Sequence, residues 1–225
     1  MYSIAVDGPA GAGKSTIARK VAEKIGFIYV DTGAMYRAMA LYFIRKGIAG
    51  DDEESISGMC KDIEVTLGYE EGEQQVLLNG ENVNAFIRTE EVSAMTSLVA
   101  KQQTVREKLV QLQREMAKKE NVIMDGRDIG TCVLPQATVK IYLTASVEER
   151  ARRRYEEQCA RGITCNLEDI SKDIVLRDTQ DMNREFAPLK QAEDAVLVDS
   201  SAMSIDEVVQ TIIDLIPGGI IKDAG

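Results

Sequence analysis

The chain has 225 residues, 44% of them hydrophobic and 28% charged, which are the proportions of a folded globular protein. Thirty-seven acids against 27 bases leave a net charge of −10, which argues against a general binder of nucleic-acid polymers or membrane surfaces. Histidine is absent, which excludes a Ser-His-Asp or Cys-His site, a histidine-ligated metal and an imidazole proton shuttle.

At roughly 150 residues per domain, the length suits one large domain, or a core with a small insertion. The four cysteines (Cys60, Cys132, Cys159 and Cys165) lack CxxC spacing and read as structural thiols of a reduced, cytoplasmic chain. No apolar run approaches the roughly 18 residues of a membrane span. The first residues, MYSIAVDG, predict a buried strand rather than a signal peptide.

In chain order, Tyr2–Asp7 predicts a strand and Ser15–Ile25 a helix. Between them, Gly8-Pro9-Ala10-Gly11-Ala12-Gly13-Lys14-Ser15 matches the P-loop pattern G-x-x-x-x-G-K-[ST] in full. Glycines there let backbone N–H groups turn inward, where they and the helix N-terminus can hold phosphates. Lys14 is then expected at the β/γ oxygens and Ser15 at Mg²⁺. The bland alternative is a glycine-rich turn without a ligand.

Phe27–Asp31 predicts a second strand, and a helix runs from Ala34 to about Lys46. Parallel sheets bind ligands at the carboxyl ends of their strands, so Thr32, Tyr36 and Arg37 of DTGAMYR are expected to point near the P-loop. A helix cap at Thr32, a core aromatic at Tyr36 and a solvated Arg37 fit the same residues equally well. Asp51–Ser55 reads as a helix N-terminus. Residues 63–88 break the pattern. Ile63–Tyr69 and Gln75–Leu78 flank an acidic, glycine-containing turn, and Asn79-Gly80 is a second turn signal. A small antiparallel insertion of three strands is expected there.

Further strands are expected at Val122–Asp125, Val139–Thr144 and Ala195–Asp199. Thr104 with Glu107, Ser146 with Glu149, and Ser204 with Glu207 each fit a capping box at a helix start. Asp125 ends an apolar strand, as a Walker-B-like metal group does, and Arg127 and Asp128 follow on the same loop. A salt-bridged turn would use the same three residues.

Arginines then crowd the chain. Arg150, Arg153 and Arg154 share a helix, Arg161-Gly162 ends it, and Arg177, Asp181 and Arg184 lie four and three apart on the next. They suit a phosphate clamp. They also suit surface ion pairs with Glu148, Glu149, Glu156 and Glu157, and a mixture with Arg152 solvated is expected. In the last helix Ile205, Val208, Val209, Ile212, Ile213 and Ile216 form one apolar stripe. Pro217-Gly218-Gly219 stops it, and a frayed tail to Gly225 is expected. Short apolar runs alternating with helical patterns predict βαβ units and a mostly parallel sheet.

Together these pieces resemble the bacterial cytidylate kinases, of the nucleoside monophosphate kinase family. The P-loop, DTGAMYR, IRTEEVSAMTSLVA, VREKL, DGRDIGT, VKIYLTASVEERARRR, RDTQDMNR and APL occur in the family's order over nearly the whole chain. DGRDIGT with RDxxDxNR is the specific part. The resemblance implies an α/β fold: a P-loop NTPase-type parallel five-stranded sheet with helices on both faces. A small antiparallel β insertion on the CMP side (about 60–88) and a helical lid (about 147–165) would complete a single domain, 1–225. It further implies a cytoplasmic monomer that converts ATP and CMP or dCMP to ADP and CDP or dCDP with Mg²⁺.

By matching positions, the resemblance places Gly8, Pro9, Ala10, Gly11, Ala12, Gly13, Lys14, Ser15, Thr16, Arg150 and Arg154 at ATP. Lys14, Arg127, Arg153 and Arg184 would act on the moving phosphoryl group, and Ser15 and Asp125 (the latter through water) on the metal. Ser97, Arg106 and Asp128 would contact cytosine. Arg37, Arg127 and Arg184 would grip the CMP phosphate. Thr32, Tyr36, Arg177 and Asp181 would line the sugar and phosphate pocket. The alternatives are a kinase for UMP, dTMP or shikimate, or a nucleotide switch, although the NKxD motif of GTPase switches does not occur.

Overall fold

The computed structural model describes residues 1–70 and 73–220. The centre of the acidic turn near Gly72 and the tail from residue 221 lie outside the described residues. The elements begin with β1 (Ser3–Asp7), α1 (Lys14–Ile25), β2 (Ile28–Asp31), α2 (Thr32–Arg45), α3 (Glu53–Cys60), β3 (Val65–Glu70), β4 (Glu73–Leu78) and β5 (Glu81–Asn82). They continue with α4 (Glu90–Val99), α5 (Gln103–Lys119), β6 (Val122–Gly126), β7 (Val139–Thr144), α6 (Val147–Ala160), α7 (Leu167–Asn183), β8 (Val196–Asp199) and α8 (Ile205–Asp214). The chain folds as two compact units, one of Met1–Tyr29 with Lys119–Gly225, the other of Val30–Lys118.

The first unit is built on the five-stranded sheet, in the order β2-β6-β1-β7-β8. β1 lies parallel to β6, with Ser3 opposite Val122 and Asp7 opposite Gly126, and parallel to β7, with Asp7 opposite Tyr142. β7 runs parallel to β8. The strands are short apolar runs because both faces are buried. On one face, Ile17, Val21 and Ile25 of α1 and Val208, Val209 and Ile212 of α8 pack with Ile4, Val6, Ile123, Ile141 and Leu143. Each such side chain contributes about 1.5–3 kcal/mol on full burial. The order reverses across β1, the kind of switch point where parallel sheets take ligands beyond the carboxyl ends of their strands.

In the second unit β3, β4 and β5 form the expected three-stranded antiparallel sheet. Asn79 and Gly80 turn between β4 and β5 with positive φ (49° and 82°), as an Asn-Gly hairpin requires. α2 packs against α4 and β4. Met35, Met39, Phe43, Ile56, Val76, Ile87, Val99 and Leu109 give this unit its own buried core.

Local expectations hold with three corrections. Asp52 caps α3 as the acidic run predicted, and Ser204 with Glu207 makes a complete capping box. Thr104 caps nothing: α5 already begins at Gln103, whose side-chain amide donates to Glu107. Ser146 caps α6, but only half the box forms. Its N–H donates to Ser201, and the Glu149 carboxylate takes Arg152 and Arg153 instead. In α8 the stripe is buried at Val208, Val209 and Ile212, whereas Ile205 at the helix start is 49% exposed.

Candidate active site

The P-loop leaves β1 through Gly8. A side chain there would put its Cβ 1.9 Å from the Leu143 carbonyl oxygen, so the strand can turn only without one. Gly11 and Gly13 take positive φ (75° and 84°), and α1 starts directly at Lys14. The loop therefore wraps a helix N-terminus whose first N–H groups have no carbonyl partner within the helix. Lys14 is buried and donates through Nζ to the Pro9 carbonyl at 2.7 Å. Burial pushes its ammonium down to about 7, and Arg127 pushes the same way. Bound phosphates would reverse that shift. If this loop holds a polyphosphate such as ATP, its binding at pH 8 is expected to take up a proton, read as a dependence of calorimetric enthalpy on the buffer's ionisation enthalpy. A Lys14→Met variant should lose this uptake; if it keeps it, another group titrates.

Ser15 donates its hydroxyl to Asp125 Oδ2, and Tyr29 donates to Asp125 Oδ1, both at 2.9 Å. Thr16 follows, exposed on the first turn of α1. Asp125 sits buried near the end of β6. Beyond it the DGRDIGT segment turns into a single π-helical turn, Ile129–Val133, which sequence patterns did not predict. Asp7 explains how that turn is held. Its carboxylate accepts the Ile129 N–H at 2.8 Å and the Gly130 N–H at 2.7 Å. Burial nevertheless raises its carboxyl to about 6 against those two bonds.

α7 brings acids and an arginine to the same loops. Arg127 Nε donates to Asp181 at 2.8 Å, and Arg184 donates to Asp128 at 3.2 Å and to the Ala187 carbonyl. Asp178, one turn earlier, accepts the Ala10 N–H at 3.0 Å and Arg150 at 2.6 Å. Arg177 is half-buried on the same helix.

The crowded arginines of α6 divide by position. Arg150 is buried and donates to the Ala145 and Ala10 carbonyls as well as to Asp178, so it joins α6 to the P-loop. Arg153 bonds Glu149 and Ser200, and its guanidinium lies 4.0 Å from where a Cβ on Gly13 would stand. Arg152 is exposed between Glu149 and Glu156, as the expected mixture required. Arg154 is exposed.

The second unit gathers the other expected residues. Asp31, not Thr32, caps α2 by accepting the Ala34 N–H at 2.9 Å; Thr32 is buried as its first residue. Tyr36 and Arg106 meet face to cation, with the guanidinium 5.7 Å from the ring centre. Arg106 is buried and also donates to the Ala100 carbonyl. Ser97 is half-buried on α4, its hydroxyl facing the Ser93 carbonyl at 3.5 Å. Arg37 lies beside Gly33. Asp31 further receives Arg88 at 3.6 Å and exchanges bonds with Gln74.

Six of these participants were not singled out from sequence: Asp7, Tyr29, Asp31, Gln74, Arg88 and Asp178. Asp7 and Asp31 each end a strand, the signal that selected Asp125. Asp178 lies three before Asp181, one turn along the same helix. Tyr29, Gln74 and Arg88 carry no local signal, because their partners are distant in sequence.

Such a cradle can hold a nucleotide's phosphates, and the cations gathered beside it can neutralise a phosphoryl group in transit. The class is therefore a P-loop phosphotransferase. The particular family follows from comparison with known proteins. The cytidylate kinase family model matches residues 4–218, and the chain belongs to that family. A cytidylate kinase of Shouchella clausii (strain KSM-K16) is 51% identical over 215 residues, 96% of either chain. One of Geobacillus sp. (strain WCH70) is 50% identical over 213 residues, 95% of either chain. Among solved structures, an uncharacterized protein from Eubacterium ventriosum ATCC 27560 is similar in fold, with a TM-score of 0.52 at 12% identity over 95% of this chain and 97% of that one.

Proposed function

We propose that this chain transfers the γ-phosphoryl group of ATP to CMP or dCMP, acting as a cytoplasmic monomer. The observation that carries this reading is the cytidylate kinase match over residues 4–218 on a chain with an intact P-loop. Among the described residues no helix is long and apolar enough to cross a membrane.

No protein base is needed. The acceptor is a phosphate whose second pKa is about 6, so at neutral pH it is mostly the dianion and already nucleophilic. That accounts for phosphoryl transfer in a chain without histidine. What remains is alignment and charge neutralisation. Gly8 through Thr16 and Lys14 hold the ATP phosphates, with Arg153 beside them. Arg37, Arg127 and Arg184 take the acceptor phosphate, and Thr32, Tyr36, Arg177 and Asp181 its sugar. Arg150 and Arg154 belong to the lid at about 147–165, which closes to keep water from the phosphoryl group. The insertion at about 60–88 serves the CMP side.

Ser15 and Asp125 suit Mg²⁺, a hard cation that prefers oxygen donors and leaves most of its sites to water and phosphate. Among the described residues no group of three or more His, Cys, Asp or Glu side chains is placed to hold a metal ion. When bound, the ion would neutralise charge on the phosphates.

Cytosine would be read by Ser97, Arg106 and Asp128. A carboxylate accepts from the N4 amino group, and a guanidinium donates to N3 or O2. Uracil reverses two of these groups, with O4 in place of the amino donor and a hydrogen on N3, and each mispairing costs about 1–3 kcal/mol. Wild type is thus expected to prefer CMP strongly over UMP in a coupled ADP-release assay, with AMP and dTMP as further acceptors. Asp128→Asn should lower kcat/KM for CMP and narrow the CMP/UMP ratio. Because Asp128 also holds Arg184, both efficiencies will fall. An unchanged ratio would mean that Asp128 serves only that ion pair.

A further inference from the structure

α6 and α7 form a helical hairpin with a small core of its own, made of Ala151, Ile170 and Ile174 with Val147, Tyr155 and Cys165 against them. Its turn is closed from both sides. At the end of α6, the Gly162 N–H returns to the Cys159 carbonyl and the Ile163 N–H to the Gln158 carbonyl, with Gly162 at φ 72°. That is a Schellman ending, with Cys159 in the last turn of the helix. At the start of α7, the Asn166 side chain accepts the Glu168 and Asp169 N–H groups, which fixes Cys165 one residue outside the cap. The two caps leave the thiols facing each other across the turn. Cys159 Sγ and Cys165 Sγ are 3.9 Å apart, and both are free thiols. Cys159 is exposed and Cys165 half-buried, whereas Cys60 is buried. An S–S bond is about 2 Å long, so closing it needs rotation of two side chains, Cys159 at the exposed helix end and Cys165 at the edge of the hairpin core.

We propose that Cys159 and Cys165 form a reversible dithiol–disulfide site in the lid, oxidised by small-molecule disulfides and opened again by thiols. The thiolate of exposed Cys159 attacks one sulfur of the disulfide RSSR, the S–S bond breaks, and one RS⁻ leaves. The Cys165 thiolate then attacks the Cys159 sulfur of the mixed disulfide and expels the second RS⁻. The two protons lost by the cysteines reappear on the two RSH molecules, and the two electrons reduce RSSR. The new bond staples the far end of the hairpin. A segment that must open and close then loses freedom at its tip, so turnover falls. The fall in turnover rests on the lid reading above; formation of the bond does not.

Trypsin provides the assay. It cuts after Arg154, Arg161 and Lys172, so the two cysteines lie in separate peptides, YEEQCAR and GITCNLEDISK. Full-length enzyme is incubated with oxidised glutathione, denatured, alkylated, digested and weighed, while kcat is followed in parallel on the folded enzyme. The expected result is one linked peptide pair, Cys60 and Cys132 alkylated, and a loss of kcat that dithiothreitol restores. Cys159→Ser and Cys165→Ser, each compared with itself before oxidant, should show no such loss. Absence of the linked pair, or stable glutathione on Cys159, would overturn the disulfide site. A linked pair with unchanged kcat would overturn the lid reading while the disulfide stands.

Discussion

Replacing Lys14 by alanine is expected to lower turnover by roughly 10²–10³-fold, the loss seen when one preorganised group that stabilises developing charge is removed. The fold should survive. The lysine nitrogen makes one bond, to the Pro9 carbonyl, and its ammonium is held below its ordinary range by burial. Without bound nucleotide that side chain would be an electrostatic burden at neutral pH, so the melting temperature should not fall. The loss should appear in kcat at saturating ATP and CMP, because the cation matters most where charge is moving. Near-normal kcat in a protein that melts like wild type would remove Lys14 from the chemistry.

Gly8→Ala should fail in the opposite way, through stability. The added Cβ would stand 1.9 Å from the Leu143 carbonyl oxygen, a backbone atom of β7 that cannot rotate aside. Gly8 also sits at φ 150°, which side chains avoid. Overpacking and backbone strain together should cost about 3 kcal/mol or more. For a chain of this size that corresponds to a drop of about 10 °C in Tm. Thermal melting without added nucleotide checks it, and an unchanged Tm would mean that β1 and β7 separate freely at this level. The pair of substitutions would separate two jobs of one loop: on the proposed reading, Gly8 lets it form and Lys14 makes it act.

The strands and most helix ends were legible because their determinants are local. Val139–Thr144 forms a strand at the expected bounds, and Asp52 and Ser204 cap helices through bonds that reach only three residues. The P-loop was legible for the same reason, since its glycines and lysine are contiguous. What sequence could not give was the division of labour among charges. Arg150, Arg152 and Arg153 are neighbours in the chain, yet one is buried against the P-loop, one is solvated and one faces Gly13. Spacing sets the face of a helix but not what lies opposite it. Asp7 carries the strand-end signal, but its role does not follow from it, because its partners, Ile129 and Gly130, are backbone groups more than 120 residues away.

The buried meeting of Asp178, Arg150 and Ala10 bears on how such enzymes can be recombined. Arg150 gives Asp178 its charge partner, and Asp178 gives the P-loop its Ala10 hydrogen bond. Removing either side chain alone would leave an uncompensated buried charge, a loss of about 3–5 kcal/mol. A chimaera that took α6 from one relative and α7 from another would therefore inherit a compatible hairpin only if both parents carry the same acid and the same base. The natural seam for exchange lies before Ser146 and after Arg184, so that the two helices travel as one part.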